Sequence, residues 1–293
     1  MTTPTMPPPS RPPSAPPPRQ AAPTRAVAPV EILDDEPQFA PPRIMLAAVE
    51  GWGKTTFASL APSPLIVMVG GENGYETLRS AGRVPKCKRA SVATWAEAMS
   101  LVDSLLADPQ GILTVAFDTI GGLERTCHEF VCARDFDGNW GEKGFVGFQR
   151  GYDVAIAEWL GLLAKLDRLR SRHGMTILLM SHAKIATVKN PDGPDYDQFQ
   201  PDCHHKTWGA TRKWCDAALF GTFRTIVDGA KGVTKKGKGI GGTDRVLWCE
   251  GSDSKVAKNR YGMPPYIDIP DDPSASWGIV ASYIGGGSNG GTR

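Results

Sequence analysis

The segment Ala48-Val49-Glu50-Gly51-Trp52-Gly53-Lys54-Thr55-Thr56 follows the apolar run 44–48 and precedes Phe57-Ala58-Ser59-Leu60, a plausible helical start. A strand, a glycine-bearing loop and a helix in that order suit the capture of phosphates. Gly51 and Gly53 let the backbone curl so that its N–H groups point inward. Lys54 can reach the β- and γ-phosphates of a nucleotide, and Thr55 can offer its hydroxyl to Mg²⁺. The residues expected to bind the nucleotide are Val49, Glu50, Gly51, Trp52, Gly53, Lys54, Thr55 and Thr56. One position departs from the pattern G-x-x-x-x-G-K-[ST], which begins here with Ala48. Alanine is the smallest replacement for glycine, so close packing is expected there rather than loss of binding.

Three further polar residues stand at the ends of apolar runs. The run 112–117 ends in Asp118-Thr119, where a second contact to Mg²⁺ is expected. The run 65–69 leads through Gly70-Gly71 to Glu72, a candidate for positioning the attacking water. The run 176–180 delivers Ser181-His182, and His182 could sense a γ-phosphate. Each has a plainer alternative: turn carboxylates for Asp118 and Glu72, and a hydrogen-bonded strand end for His182.

These residues need elements to hold them. Short apolar runs at 44–48, 65–69, 112–117 and 176–180 suit buried strands, and helical patterns lie between them. Thr94 and Glu97 form a capping box ahead of Met99, Val102 and Leu106, and Asp108-Pro109 ends that helix. The longest pattern, 152–172, places Tyr152, Ile156, Trp159, Leu163, Leu166 and Leu169 on one stripe, closed by Gly174. Alternating units of this kind predict an α/β fold with a mainly parallel sheet between helices and ligands at the carboxyl ends of the strands. After Ser181 the pattern turns to loops and antiparallel strands, near 217–227 and 244–250.

Fourteen of the 25 prolines fall within residues 1–42, and five glycines within 285–293. The first segment reads as a disordered arm, with a protein partner as one possible role, and the last as a flexible tail. A single domain is expected over 43–284. No apolar run approaches the ~20 residues of a membrane span. The N-terminus has no secretory pattern, and six irregularly spaced cysteines make neither a disulfide scaffold nor a convincing metal set. A reducing, cytoplasmic setting is expected. The net charge of +2 leaves any nucleic-acid contact to local clusters.

The order phosphate loop, strand–Glu72, strand–Asp118, long helix, strand–His182 resembles the RecA-like ATPases over about residues 43–268. His182 makes the likeness nearer to the phage-encoded RecA-like nucleotide-binding proteins associated with single-strand annealing. Ala257-Lys258-Asn259-Arg260-Tyr261-Gly262 is similar to the Lys-x-Arg motif of RecA-like recombinases and ring helicases. The resemblance implies a RecA-like P-loop fold with antiparallel strands near its C-terminal end. It implies ATP and Mg²⁺ as cofactors, and Glu72, Asp118 and His182 as catalytic groups. Lys258 and Arg260 would reach a neighbour's γ-phosphate in a homo-oligomer. Single-stranded DNA is the implied partner, in phage-type recombination, annealing or replication within a bacterial host.

Two segments occupy the positions of RecA-like DNA-binding loops. One is 134–150, with Trp140, Lys143, Phe145 and Phe148. The other is about 184–212, with Lys189, His204, His205, Lys206, Trp208 and Arg212, although Asp192, Asp195, Asp197 and Asp202 oppose a simple phosphate groove. Lys231, Lys235, Lys236 and Lys238 mark a hairpin tip that could hold phosphates. The rival readings are a ring-helicase-like motor or loader, and a non-hydrolysing, ATP-switched DNA-binding module.

Overall fold

Strands whose two faces are both apolar can be buried only between two helical layers. The chain provides both layers. A computed structural model describes residues 40–228 and 238–284. The first 39 residues of the proline-rich arm, the tail 285–293 and Lys231, Lys235 and Lys236 lie outside the described residues, as does the Lys238 side chain.

In chain order the elements are β1 (Arg43–Ala48), α1 (Lys54–Ser59), β2 (Pro64–Val69), α2 (Gly74–Ser80), β3 (Lys88–Val92), α3 (Trp95–Ala107), β4 (Thr114–Asp118), α4 (Ile120–Asp135), α5 (Arg150–His173), β5 (Thr176–Val188), β6 (Tyr196–Pro201), α6 (His205–Trp214), β7 (Ala217–Asp228), β8 (Lys238–Trp248), β9 (Lys258–Asn259), β10 (Tyr266–Ile269) and α7 (Ser276–Ile284). The main sheet runs β10-β8-β7-β1-β5-β4-β2-β3. From β7 to β3 every neighbouring pair is parallel, and β8 and β10 add antiparallel strands at one side. This is the α/β arrangement expected from the alternating pattern.

Alternation along the strands divides the core. Met45, Val67, Val115, Phe117 and Ile177 face the layer of α3, α4 and α5. Ile44, Leu46, Ile66, Ala116 and Leu178 face the other side, with Phe57 of α1 and Val280 of α7. The Thr94–Glu97 capping box opens α3, and Gly174, at φ 64°, closes α5. The stripe of α3 is turned slightly from the expected one: Trp95, Ala98, Val102 and Leu105 are its buried residues, because Trp95 stacks on Trp159 of α5. No helix among the described residues is long and apolar enough to cross a membrane.

The segment 184–212 is largely not the loop expected. β5 continues past the sheet to Val188 and pairs antiparallel with β6, and α6 follows. Charged and polar side chains along that hairpin satisfy one another, with Thr187 Oγ1 donating to Asp197 at 2.9 Å and Lys189 paired with Asp195. Hydrophobicity alone gave no sign of such a ladder.

Candidate active site

β1 ends at Ala48 between β5 and β7, and the phosphate loop leaves the sheet there. Gly51 (φ 72°) and Gly53 (φ 111°) occupy the left-handed region, which glycine enters without strain. Trp52, between them, points away from the cleft into the core, and its Nε1 donates to the Val246 carbonyl at 3.3 Å. Arg245 Nε in turn donates to the Trp52 carbonyl at 2.8 Å, so β8 holds the loop from both sides. The ring of Trp52 lies so close to Gly221 that a Cβ there would sit 2.5 Å from it and 2.9 Å from the Ala48 methyl. Ala48 thus fills a packed position, as expected, and Trp52 shapes the loop from behind.

Lys54 is buried and rests its ammonium on the Ala48 carbonyl at 3.2 Å. Burial lowers its pKa, against the attraction of Asp118, Glu72 and Glu50. Thr55 Oγ1 donates to Asp118 Oδ2 at 2.9 Å, joining the loop to the end of β4. Burial raises the Asp118 pKa and Glu72 adds to the effect, while the Thr55 hydrogen bond, Lys54 and His182 oppose it. A hydroxyl and a carboxylate side by side form a hard-oxygen pair suited to Mg²⁺, which these two residues would hold. The Nε2 of His182 lies 3.3 Å from Glu72 Oε1. Asp118 and His182 are brought together by β4 and β5, paired in parallel with Asp118 beside Met180.

Glu50, Gly51, Gly53, Lys54, Thr55, Thr56, Glu72, Asp118 and His182 line one cleft of about 570 Å³. Arg83 and Arg245 line it too, and sequence reasoning missed both. Arg245 is tied to the carbonyls of Trp52 and Asp271, contacts 193 and 26 residues apart in sequence that no local pattern reveals. Asp272 and Pro273 close the cleft from the C-terminal side.

Lys258 and Arg260 are not brought to this cleft. β9 pairs with Ala217 and Ala218, and Ala217 pairs with Ile44, so the motif lies at the opposite ends of the parallel strands. Lys258 Nζ donates to the carbonyls of Arg212 (2.7 Å) and Cys215 (2.8 Å), capping the end of α6. Arg260 pairs with Asp216 at 3.2 Å, and Asp216 also binds Arg43 at 2.7 Å. Burial alone would raise the Asp216 pKa, but its hydrogen bonds and charge contacts with Arg43 hold it below the usual range. These cations therefore have structural partners within the chain that a basic motif in the sequence does not disclose.

In the segment 134–150, Phe145 is buried against Phe136, Trp140 and Tyr152, whereas Phe148 is 95% exposed. In the second segment Trp208 is buried, His204 stacks on Tyr152 at 4.1 Å, Lys206 pairs with Asp153, and Lys184 donates to the Cys203 carbonyl at 2.6 Å. Much of its basic and aromatic character is engaged internally. All six cysteines are free thiols, and Cys127, Cys132, Cys203, Cys215 and Cys249 are buried.

Among solved structures the chain is similar to the crystal structure of the RadB recombinase, with 13% identity, a TM-score of 0.43 and coverage of 80% of this chain and 90% of that one. No curated protein gives a significant match. The profile of a family described as an AAA domain matches residues 40–261, a span that takes in the phosphate loop, Glu72, Asp118 and His182. That span covers well over half of the chain, so the chain belongs to this AAA domain family of P-loop proteins.

Proposed function

We propose that the protein is a Mg²⁺-dependent ATPase whose turnover serves single-stranded DNA in phage-type recombination, annealing or replication in the bacterial cytoplasm. The observation that carries the ATPase reading is the 2.9 Å contact between Thr55 and Asp118, with Lys54, Glu72 and His182 on the walls of the same cleft. Lys54 neutralises the β- and γ-phosphates, and the loop amides orient them. Bound Mg²⁺ would supply positive charge against the phosphate oxygens. Glu72 orients a water for attack on the γ-phosphorus and accepts its proton as the bond to the ADP oxygen breaks. His182 holds the Glu72 carboxylate in position through Nε2. Arg83 and Arg245 add positive charge to the cleft.

Lys258 and Arg260 take no part in the cleft of their own chain, where they contact α6 and Asp216; their reach to a neighbour's γ-phosphate rests on the resemblance. The homo-oligomer remains part of the proposal on the resemblance alone. For DNA, the support within the described residues is the exposed pair Trp140 and Phe148 flanking Lys143, a combination suited to unpaired bases. Phosphate release from MgATP, measured with and without a single-stranded oligonucleotide, tests both parts. Turnover that rises with the oligonucleotide is the expected result. Turnover indifferent to DNA removes the DNA part, and no turnover removes the enzyme.

A further inference from the structure

Alternate residues of the antiparallel strands β7, β8 and β10 point to opposite faces. One face carries Leu219, Leu247, Ile267 and Ile269, buried in the core that α7 covers. The opposite face carries the cross-strand rows Phe220–Trp248–Tyr266 and Thr222–Val246–Asp268, with Arg224 beyond them. Phe199 of β6 packs on Phe220, and Lys255, bridged to Phe199 through the backbone, stands beside it over Trp248. With Arg224 and Tyr266 they line a groove of about 510 Å³.

The groove combines flat apolar rings with cations. The Trp248 and Tyr266 rings are 5.5 Å apart, and Tyr266 is 46% exposed. Lys255 Nζ sits 4.4 Å from the Trp248 ring centre, and the Arg224 guanidinium 5.9 Å from that of Tyr266. Arg224 is already paired with Asp268, which stands in the neighbouring row of the same face, whereas Lys255 has no ion-pair partner among the described residues. The Trp248 Nε1 is a buried donor with no partner among the described residues. Aromatic faces with cations beside them match a ligand of stacked rings strung on anions, which is a single-stranded nucleic acid. A proline-rich peptide also suits aromatic grooves, but it brings no anion for Lys255.

We propose that this groove is a separate contact for single-stranded DNA, with bases stacked on Tyr266 and Trp248 and phosphates paired with Lys255 and Arg224. These four residues lie outside both segments whose sequence suggests DNA contact. The inference rests on the reading of single-stranded DNA as the partner.

The test uses the full-length protein and a short fluorescein-labelled oligo(dT), read by anisotropy over a range of salt. Tyr266→Ala is expected to weaken binding about tenfold, the size of one lost base stack. Lys255→Glu should weaken it at least as much and reduce the salt dependence by about one phosphate contact, with Lys255→Arg restoring both. Thermal melts and MgATP binding verify that each variant is folded. If the folded Tyr266→Ala and Lys255→Glu proteins bind oligo(dT) within twofold of wild type, the groove assignment is wrong while the DNA reading stands. If wild type binds no oligo(dT), both fall. If a proline-rich peptide binds instead, and Tyr266→Ala abolishes that binding, the groove belongs to a peptide and the proposal is overturned.

Discussion

Asp118 is 4% exposed, and its burial raises the carboxyl pKa above the usual range, with the charge of Glu72 adding to the shift. Opposite that carboxyl stands Lys54, whose own burial lowers its pKa. The two ionised groups are thus each costly to bury and each the other's partial remedy. A metal–triphosphate complex would supply what both lack: positive charge for Asp118 and negative charge for Lys54. The raised Asp118 value sets the sign of two pH effects. The folded chain holds this proton more tightly than the unfolded chain. Lowering pH from the raised folded value toward the ordinary carboxylate value should therefore stabilise the cation-free fold. Over the same window protons compete with Mg²⁺, so MgATP affinity should fall. Calorimetric titration with MgATP, paired with thermal melts without Mg²⁺, should show these opposite slopes. Asp118→Asn should flatten both and lower MgATP affinity at neutral pH. Parallel slopes, or slopes that persist in Asp118→Asn, would move the titration to another group.

At the scale of elements, the cleft is a set of strand ends, and β7 and β8 fix the loop that crosses them. Gly221 is where this arrangement has least room, since a methyl there would meet both Trp52 and Ala48. Gly221→Ala should lower stability by about 1–3 kcal/mol through overpacking. It should also weaken ATP binding by displacing Trp52, although Gly221 does not line the cleft. Chemical denaturation and ATP-analogue titration of the same protein measure the two effects. A stability loss with unchanged affinity would show that the loop does not depend on its Trp52 anchor. Glu72, Asp118 and His182 were legible in the sequence because a buried run stops at or just before each: Asp118 ends β4, Glu72 follows β2 after two glycines, and His182 begins the partly exposed half of β5, which runs on to Val188. β3 was not, because a half-exposed strand of Lys88, Arg89, Ala90, Ser91 and Val92 has no apolar run to reveal it. The β5–β6 hairpin hid for a related reason, since its pairing rests on charged and polar partners that become neighbours only after folding. Trp52 was assigned to the loop from its position, but its inward direction depends on β7 and β8, more than 160 residues later.

For the whole molecule, the phosphate loop and the Lys-x-Arg motif occupy opposite ends of the parallel strands. The motif was legible as a basic turn. Its partners, Asp216 and the α6 carbonyls, were not, because tertiary folding alone brings them together. In the proposed reading, capture of phosphate and activation of water fall to different residues of one cleft. The most direct test measures ATP binding and steady-state hydrolysis separately in wild type, Lys54→Ala and Glu72→Gln. Lys54→Ala should lose ATP affinity. Glu72→Gln should bind MgATP like wild type while its kcat falls by at least about 100-fold, the lower range for loss of a positioned acid–base group. Glu72→Gln with wild-type kcat, or Lys54→Ala with wild-type affinity, would contradict the account.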